Sequence, residues 1–261
     1  MHKHKDIPVV ILCGGMGSRL AEHTNLIPKP LVEIGHKPIL WHIMKHYSRY
    51  GFNTFYLALG YKGEQIKRYF LEFYSLGQDF SVSLHNGQVK VLHHKHVEPW
   101  EVHLVDTGQT TYTGGRIKLL EPLIGRTTFM MTYGDGVSDV NLDKLLTFHT
   151  STGGLVTLTA VRPPARFGAL EFNGDRVCRF KEKTKLSEGW INGGFFVMEP
   201  QAFDYIQDDV FWEHDPMERL AGDGKLFAYK HEDFWQCMDT VRDLTYLESL
   251  WQTGSPPWKT W

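Results

Sequence analysis

Ile7-Pro8-Val9-Val10-Ile11-Leu12-Cys13 is a continuous apolar run stopped by the pair Gly14-Gly15. A strand with one wet face alternates polar and apolar residues; one without alternation is covered on both faces, as in a parallel sheet between two layers of helices. The chain beyond Gly15 has to supply those helices. Pro38 opens a helical pattern through Tyr50, with Ile39, Leu40, Ile43 and Tyr47 on one face. Thr54–Leu59 reads as the next strand and Glu64–Tyr74 as the next helix. Strand–helix alternation of this kind predicts an α/β chain with a mostly parallel sheet.

The pattern then changes. Phe80 to Leu92 alternates around Asn86-Gly87, a strong two-residue hairpin signal, so antiparallel material is inserted. Strands are expected at Phe129–Thr132, Val156–Ala160 and Phe195–Met198, with helices at Leu142–Ser151 and Val241–Thr253. No repeat, low-complexity tract or linker-like stretch divides residues 1–261, which predicts a single domain.

Composition narrows the function classes. With 261 residues, 42% of them hydrophobic, the chain can bury a substantial core. A net charge of −2 argues against a nucleic-acid or membrane-surface partner, and no apolar run reaches the length of a membrane span. The basic start, Met1 to Asp6, is followed by neither an apolar h-region nor a cleavage site. Cys13, Cys178 and Cys237 are odd in number and far apart, so a reduced, cytoplasmic protein is expected. His93, His94, His96 and His103 lack a nearby cysteine that would complete a closed zinc set.

The first strand delivers Gly14-Gly15-Met16-Gly17-Ser18-Arg19-Leu20. Glycines let backbone N–H groups approach phosphate oxygens, and Arg19 adds a planar, permanently charged fork. The dinucleotide fingerprint needs a small residue where Leu20 stands, and a Walker loop needs Gly-Lys-Ser/Thr, so both are excluded. Further on, Pro28-Lys29-Pro30 brackets one lysine with prolines, which predicts an extended backbone and a pre-aimed point charge. As a loop residue, Lys29 is expected to serve turnover and not stability. Asp135 follows a buried strand at its C-terminal end, where open α/β sheets bind ligands, and it is flanked by Gly134 and Gly136.

Together, G-G-x-G-S-R-L and P-K-P resemble the signature of the sugar-1-phosphate nucleotidyltransferases. The later segments Asp106-Thr107-Gly108, Thr113-Gly114-Gly115-Arg116, Tyr133-Gly134-Asp135-Gly136, Arg166 to Leu170, Ile191 to Phe196, Met238-Asp239-Thr240 and Pro257 to Trp261 are similar to the cytidylyl branch of that family. The resemblance implies a Rossmann-like mixed sheet with inserted antiparallel hairpins, the nucleotide-diphospho-sugar transferase fold. It implies CTP and glucose 1-phosphate as substrates, magnesium as cofactor, and a homo-oligomer, a hexamer in size. The product would be CDP-glucose, an entry to deoxysugars of surface polysaccharides.

The same resemblance assigns roles. Leu12, Cys13, Gly14, Gly15, Met16 and Gly17 would hold base and phosphates, with Ser18, Arg19 and Lys29 on the triphosphate. Thr111 and Arg116 would complete the nucleotide site, and Gly134 would lie beside it. Arg19, Lys29 and Asp135 carry the catalytic roles. Asp135 and Asp239 would share one magnesium ion; without a cation two such carboxylates repel. Glu182, Lys183, Asn192 and Gly193 match the sugar-phosphate side.

Three departures stand out. Ile27 occupies a position that is commonly lysine in the cytidylyl branch, which removes a charge beside the triphosphate. Ala21-Glu22-His23-Thr24 lacks the Pro-Leu-Thr of thymidylyl and uridylyl relatives, and Thr184 replaces a usual proline. The nearest alternative is the same chemistry with another nucleotide, UTP, or another hexose 1-phosphate; from another class it is a catalytically silent nucleotide sensor, but a sensor has no need of Lys29, Asp135 and Asp239 together.

Overall fold

The computed structural model describes residues 4, 6–15, 26–93, 97–163, 169–173, 176–181 and 189–261. Its main sheet is built around the apolar run. Val9–Cys13 is buried along its whole length, and it pairs in parallel with Thr54–Leu59 on one side and Phe129–Tyr133 on the other. Glu101–Asp106 extends the sheet in parallel beyond Thr54–Leu59. On the opposite flank a single antiparallel line, Ile191–Asn192 and Phe196–Met198, lies between Phe129–Tyr133 and Val156–Val161. Leu226–His231 closes that edge, parallel to Val156–Val161. The result is the expected mixed, mainly parallel sheet.

Period two along the first strand sorts its side chains into two cores. Val9, Ile11 and Cys13 face the helices Ile39–Arg49, Gly63–Gly77, Leu142–Thr152 and Val241–Gln252, through residues such as Ile43, Ile66, Leu145 and Leu247. Val10 and Leu12 face the helices Thr113–Leu119 and Asp215–Gly222, with Ile117, Leu220 and Trp212. Helix Ile39–Arg49 buries Ile39, Leu40, Ile43, Met44 and Tyr47 essentially completely. At about 1.5–3 kcal/mol per side chain, this face holds the helix to the sheet.

Parallel strands in register end together. Cys13 is level with Leu59, and Leu12 with Tyr133, so Gly14, Gly60 and Gly134 follow the ends of three neighbouring strands. The antiparallel line is broken at Gly193-Gly194-Phe195. Gly194 has φ of 75° and Phe195 of 48°, a left-handed conformation that costs a non-glycine residue on the order of 1–3 kcal/mol. Phe195 is held there by burial and by stacking on Tyr47, with ring centroids 5.9 Å apart.

Two local expectations are corrected. The Asp79–Val82 and Val89–His93 strands do form a hairpin, but the connection runs from Ser83 to Gln88 and is not a two-residue turn. Only Gly87 has positive φ, and the Asn86 side chain accepts the Gln88 N–H at 3.1 Å, which widens the loop. The alternation there buries nothing: Phe80, Val82, Leu84, Val89 and Leu92 are all exposed. Lys29 is not extended either. It opens a short 3-10 turn, Lys29–Leu31, closed by Leu31 N–H on Pro28 O at 2.8 Å. Pro28 is extended, φ −66° and ψ 145°, so the predicted constraint acts one residue earlier.

Among the described residues no helix is long and apolar enough to cross a membrane, and no group of three or more His, Cys, Asp or Glu side chains could hold a metal. His94 and His96 lie outside the described residues. His103 stacks on Tyr56 with centroids 4.2 Å apart.

Candidate active site

A cavity of about 550 Å³ opens where the three parallel strands end. Leu12, Cys13, Gly14, Gly15 and Gly134 form its floor, Thr111 and Arg116 one wall, and Lys29 and Asp135 its rim. Met16, Gly17, Ser18 and Arg19 of the predicted phosphate loop lie outside the described residues, as do Glu182, Lys183, Thr184 and the segment 21–24. Ile27 packs against the first core, which accounts for an apolar residue at that position.

The glycines here are not equivalent. Among the described residues a side chain on Gly15 would meet nothing within 4 Å, which leaves its backbone open toward the cavity. One on Gly134 would meet the Leu12 carbonyl, Pro30 and the Cys13 sulfur, so only glycine lets the strands Val9–Cys13 and Phe129–Tyr133 close on each other there. One on Gly14 would collide with the Arg116 guanidinium. That arginine is buried. It donates to Thr107 Oγ1 and Gly108 O at 2.7 Å, to Leu59 O at 3.0 Å, to Gly14 O at 3.2 Å and to Gln109 O at 3.3 Å. Burial lowers its pKa, and the Asp209 and Asp106 charges act against that lowering. Arg116 thus reaches the cavity as expected, but its donors are committed to five protein acceptors. Its part in this structure is to fasten the Thr107–Gln109 loop to the glycine turn.

Lys29 and the two aspartates do converge. Lys29 Nζ donates to Asp135 Oδ2 at 2.7 Å and to Asp239 Oδ1 at 2.5 Å. Burial pulls the lysine pKa down, but the two carboxylates outweigh it and the net shift is upward, so the amine stays charged. This corrects the expectation that the carboxylates face each other uncompensated: Lys29 supplies the cation. It also places Lys29 inside a structural contact, with only 11% of its side chain exposed.

A short ladder brings the aspartates together. Gly136–Ser138 pairs antiparallel with Trp235–Cys237, Gly136 opposite Cys237, and Met238 N–H donates to Asp135 O at 2.8 Å. Asp135 precedes one strand and Asp239 follows the other. Asp239 is then fixed by the helix that begins after it: Asp243 Oδ2 accepts from Asp239 N–H at 3.1 Å and from Thr240 N–H at 2.9 Å. Thr240 and Asp243 form a reciprocal capping box. Cys237 Sγ lies 3.7 Å from Asp239 Oδ2, and its thiol is pushed up to about 12, by burial first and then by the charges of Asp239 and Asp135. It therefore stays neutral and can donate.

The donor set suits a hard cation. Two carboxylate oxygens from separate strands contact one ammonium, the geometry of a single positive charge held between oxygens. Magnesium takes one or two carboxylates and fills its remaining positions with phosphate oxygens and water.

Of the residues expected on the sugar-phosphate side, Asn192 donates through Nδ2 to Tyr133 Oη at 3.2 Å and accepts at Oδ1 from Gly194 N–H at 2.9 Å. Gly193 presents its carbonyl to Trp235 Nε1 at 2.7 Å, and a side chain there would strike Val161. Sequence reasoning missed Tyr133 and Glu213. Tyr133 donates to Glu213 Oε1 and Thr113 to Glu213 Oε2, both at 2.6 Å, which bridges the two ends of the cavity. Burial, then the Glu213 charge, raise the Tyr133 pKa well above its ordinary value. It also missed the aromatic wall of Tyr112 and Phe211, whose ring centroids are 4.3 Å apart. Tyr133 sits directly before Gly134 and could have been suspected; Glu213 stands in no pattern that marks it.

Solved structures share this fold at low identity. UDP-glucose pyrophosphorylase in complex with UDP-glucose superposes with a TM-score of 0.68 at 15% identity, over 95% of this chain and 99% of that one. HddC from Yersinia pseudotuberculosis gives 0.66 at 23% identity, over 93% and 98%. Among sequences, the glucose-1-phosphate cytidylyltransferase of Salmonella typhimurium is 49% identical over 254 residues, 97% of this chain and 98% of its own length. The nucleotidyl transferase family model matches residues 8–247, from the first strand to within the last helix, and the chain belongs to that family.

Proposed function

We propose that the protein transfers CMP from CTP to α-D-glucose 1-phosphate, giving CDP-glucose and pyrophosphate. The observation that carries this reading is the convergence of Asp239 with Asp135 on Lys29, the latter two lining a cavity that also exposes the backbone of Gly14 and Gly15. The 49% identical relative supplies the substrate names.

In the reaction, an oxygen of the sugar phosphate bonds to the α-phosphorus while the bond from that phosphorus to the oxygen bridging the β-phosphate breaks, and pyrophosphate carries away the electron pair. The attacking oxygen is ionised at neutral pH, so no side chain has to remove a proton. Catalysis then rests on placement and charge. Gly15 admits the phosphates, Arg116 holds the floor, and Tyr112 with Phe211 offers a face to the base. Lys29 gives positive charge to the triphosphate, while Tyr133 and Asn192 orient the sugar side. Magnesium, held by Asp135 and Asp239, would neutralise charge developing on the phosphate oxygens.

The reading extends to a cytoplasmic, homo-oligomeric enzyme, a hexamer by resemblance, feeding deoxysugar synthesis for surface polysaccharides. The exposed apolar hairpin supports self-association; sedimentation velocity of the free protein checks it, a monomer being the contrary result. Pyrophosphate release across four nucleotides and several hexose 1-phosphates tests the chemistry. CTP with glucose 1-phosphate is expected to give the highest kcat/KM, and a preference for dTTP or GTP would refute the base while leaving the reaction class.

A further inference from the structure

The ladder that joins the two aspartates has a second end, and a buried histidine paired with a half-buried aspartate closes it. His231, the last residue of the sheet's edge strand, is 7% exposed. Its Nε2 lies 2.9 Å from Asp139 Oδ1, 3.2 Å from Phe234 O and 3.3 Å from Ser138 Oγ. Asp139 Oδ1 also accepts the Phe234 N–H at 3.0 Å, and Asp139 N–H donates to Phe234 O at 3.3 Å. Ser138 Oγ donates to that same carbonyl at 2.8 Å. From the other side, His46 Nε2 is 2.9 Å from Val140 O, which ties the following residue to helix Ile39–Arg49.

Each strand of the ladder has only three residues: Gly136–Ser138 and Trp235–Cys237. Isolated two-stranded pairs of that length have little stability of their own, and a one-residue slip would turn every side chain to the opposite face. Something outside the ladder must fix its register. We propose that His231 and Asp139 are positioning residues for the phosphate-transfer site: by clamping Ser138 and Phe234 they set the register that carries Asp239 to Asp135.

The clamp also anchors the ladder to the main sheet, because His231 pairs with Val161 at the end of the parallel edge strands. Burial works against a charged imidazole, but hydrogen bonding to Asp139 and to Phe234 O, with the Asp139 and Asp233 charges, raises the His231 pKa above its ordinary value. Nε2 donates to Asp139 both in the imidazolium and in the neutral tautomer that carries its proton there, so the contact does not require a charged ring. The proposal rests on the reading of Asp135 and Asp239 as metal ligands.

The test compares His231→Leu, which removes the donor, with His231→Gln, whose amide nitrogen can stand near the Nε2 position, and with Ser138→Ala. Protein-bound Mn2+ is measured by electron paramagnetic resonance in the presence of whichever nucleoside triphosphate the wild-type protein binds, without sugar phosphate. The half-saturating Mg2+ concentration is then separated from kcat. Partners that orient metal ligands typically change affinity by about 10–100-fold when removed. His231→Leu is expected to weaken Mn2+ about tenfold and to raise half-saturating Mg2+ equally, with kcat at saturating metal within about threefold. His231→Gln should restore binding to within about twofold, and Ser138→Ala should fall between the two. The clamp is refuted if the wild-type protein adds nothing to Mn2+ binding, or if His231→Leu binds it within twofold of wild type. It is refuted equally if His231→Gln is as impaired as the leucine variant. Should His231→Leu not fold, Ser138→Ala decides alone, an unchanged Mn2+ affinity overturning the proposal. Absence of pyrophosphate release by the wild type from CTP and glucose 1-phosphate sinks the substrate reading instead, independently of the Mn2+ comparison.

Discussion

At the scale of the residue, Lys29 shows how one side chain answers two demands. Its ammonium satisfies two carboxylates that would otherwise repel, and in the proposed reaction the same charge would serve a triphosphate. Lys29→Met is expected to lower kcat by about 10² or more, as loss of one charge-assisted contact does in comparable sites. It should also destabilise the free protein by on the order of 1–3 kcal/mol, toward the lower figure because both carboxylates are near one-third exposed. Magnesium should then raise the thermal midpoint of Lys29→Met more than that of the wild type, since the ion can take the vacated charge position. Equal magnesium shifts in the two proteins would count against a shared position. Lys29 could be picked out in the sequence because prolines bracket it. Asp135 and Asp239 were picked out as well, but their contact with Lys29 could not be, because nothing local to Pro28-Lys29-Pro30 says which carboxylates fold onto it. Arg116 illustrates the converse: its presence at the cavity was legible by resemblance, but its commitment to five acceptors depends on loops from separate strands.

At the scale of the element, the helix Val241–Gln252 has a cap that also serves the site. Asp243 holds the Asp239 and Thr240 N–H groups, so the residue that starts the helix also orients the carboxylate before it. Asp243→Ala is expected to cost about 1 kcal/mol of stability as a lost cap and to raise the magnesium requirement, whereas exposed Arg242→Ala should do neither. Paired melting curves and magnesium titrations check this; a stability loss with unchanged magnesium dependence would separate cap from site. Long elements were readable because their hydrophobic period is a direct image of burial: Thr54–Leu59 falls where the apolar run lies, and helix Ile39–Arg49 buries all four residues of its predicted face. The three-residue ladder was not. Gly136–Ser138 and Trp235–Cys237 are too short to show a period, and their pairing depends on contacts far apart in sequence. The Asp79–His93 hairpin is legible from Asn86-Gly87, but its turn is not, because Asn86 spends its side chain on Gln88 N–H and leaves the left-handed conformation to Gly87 alone.

At the scale of the whole molecule, two buried histidines set the acid limit. Burial lowers the pKa of both His42 and His46 to about 4. In the unfolded chain they protonate near 6.5, so below that pH the unfolded state binds more protons and stability falls until about pH 4. His231 has the opposite sign: its raised pKa adds stability that is fully present below about 6.5 and is lost as pH rises through the raised value. Thermal midpoints measured from pH 4 to 8 should therefore peak near the ordinary histidine pKa and drop steeply on the acid side, and His46→Gln should flatten that drop. A midpoint independent of pH between 6.5 and 4 would contradict the burial of neutral imidazoles. Both cores share the central sheet, so calorimetry is expected to give one transition.

The order of the ladder's strands along the chain has a consequence during synthesis. A ribosome releases the glycine turn, Lys29 and Asp135 long before Trp235–Cys237 and Asp239 emerge. A nascent chain can thus build the cavity's floor while the proposed phosphate-transfer centre still lacks a carboxylate and the clamp proposed to align it. On the proposed reading competence arrives last, once Asp239 and Asp243 have joined the fold, so a polypeptide interrupted before them is expected to be inert in a pyrophosphate-release assay.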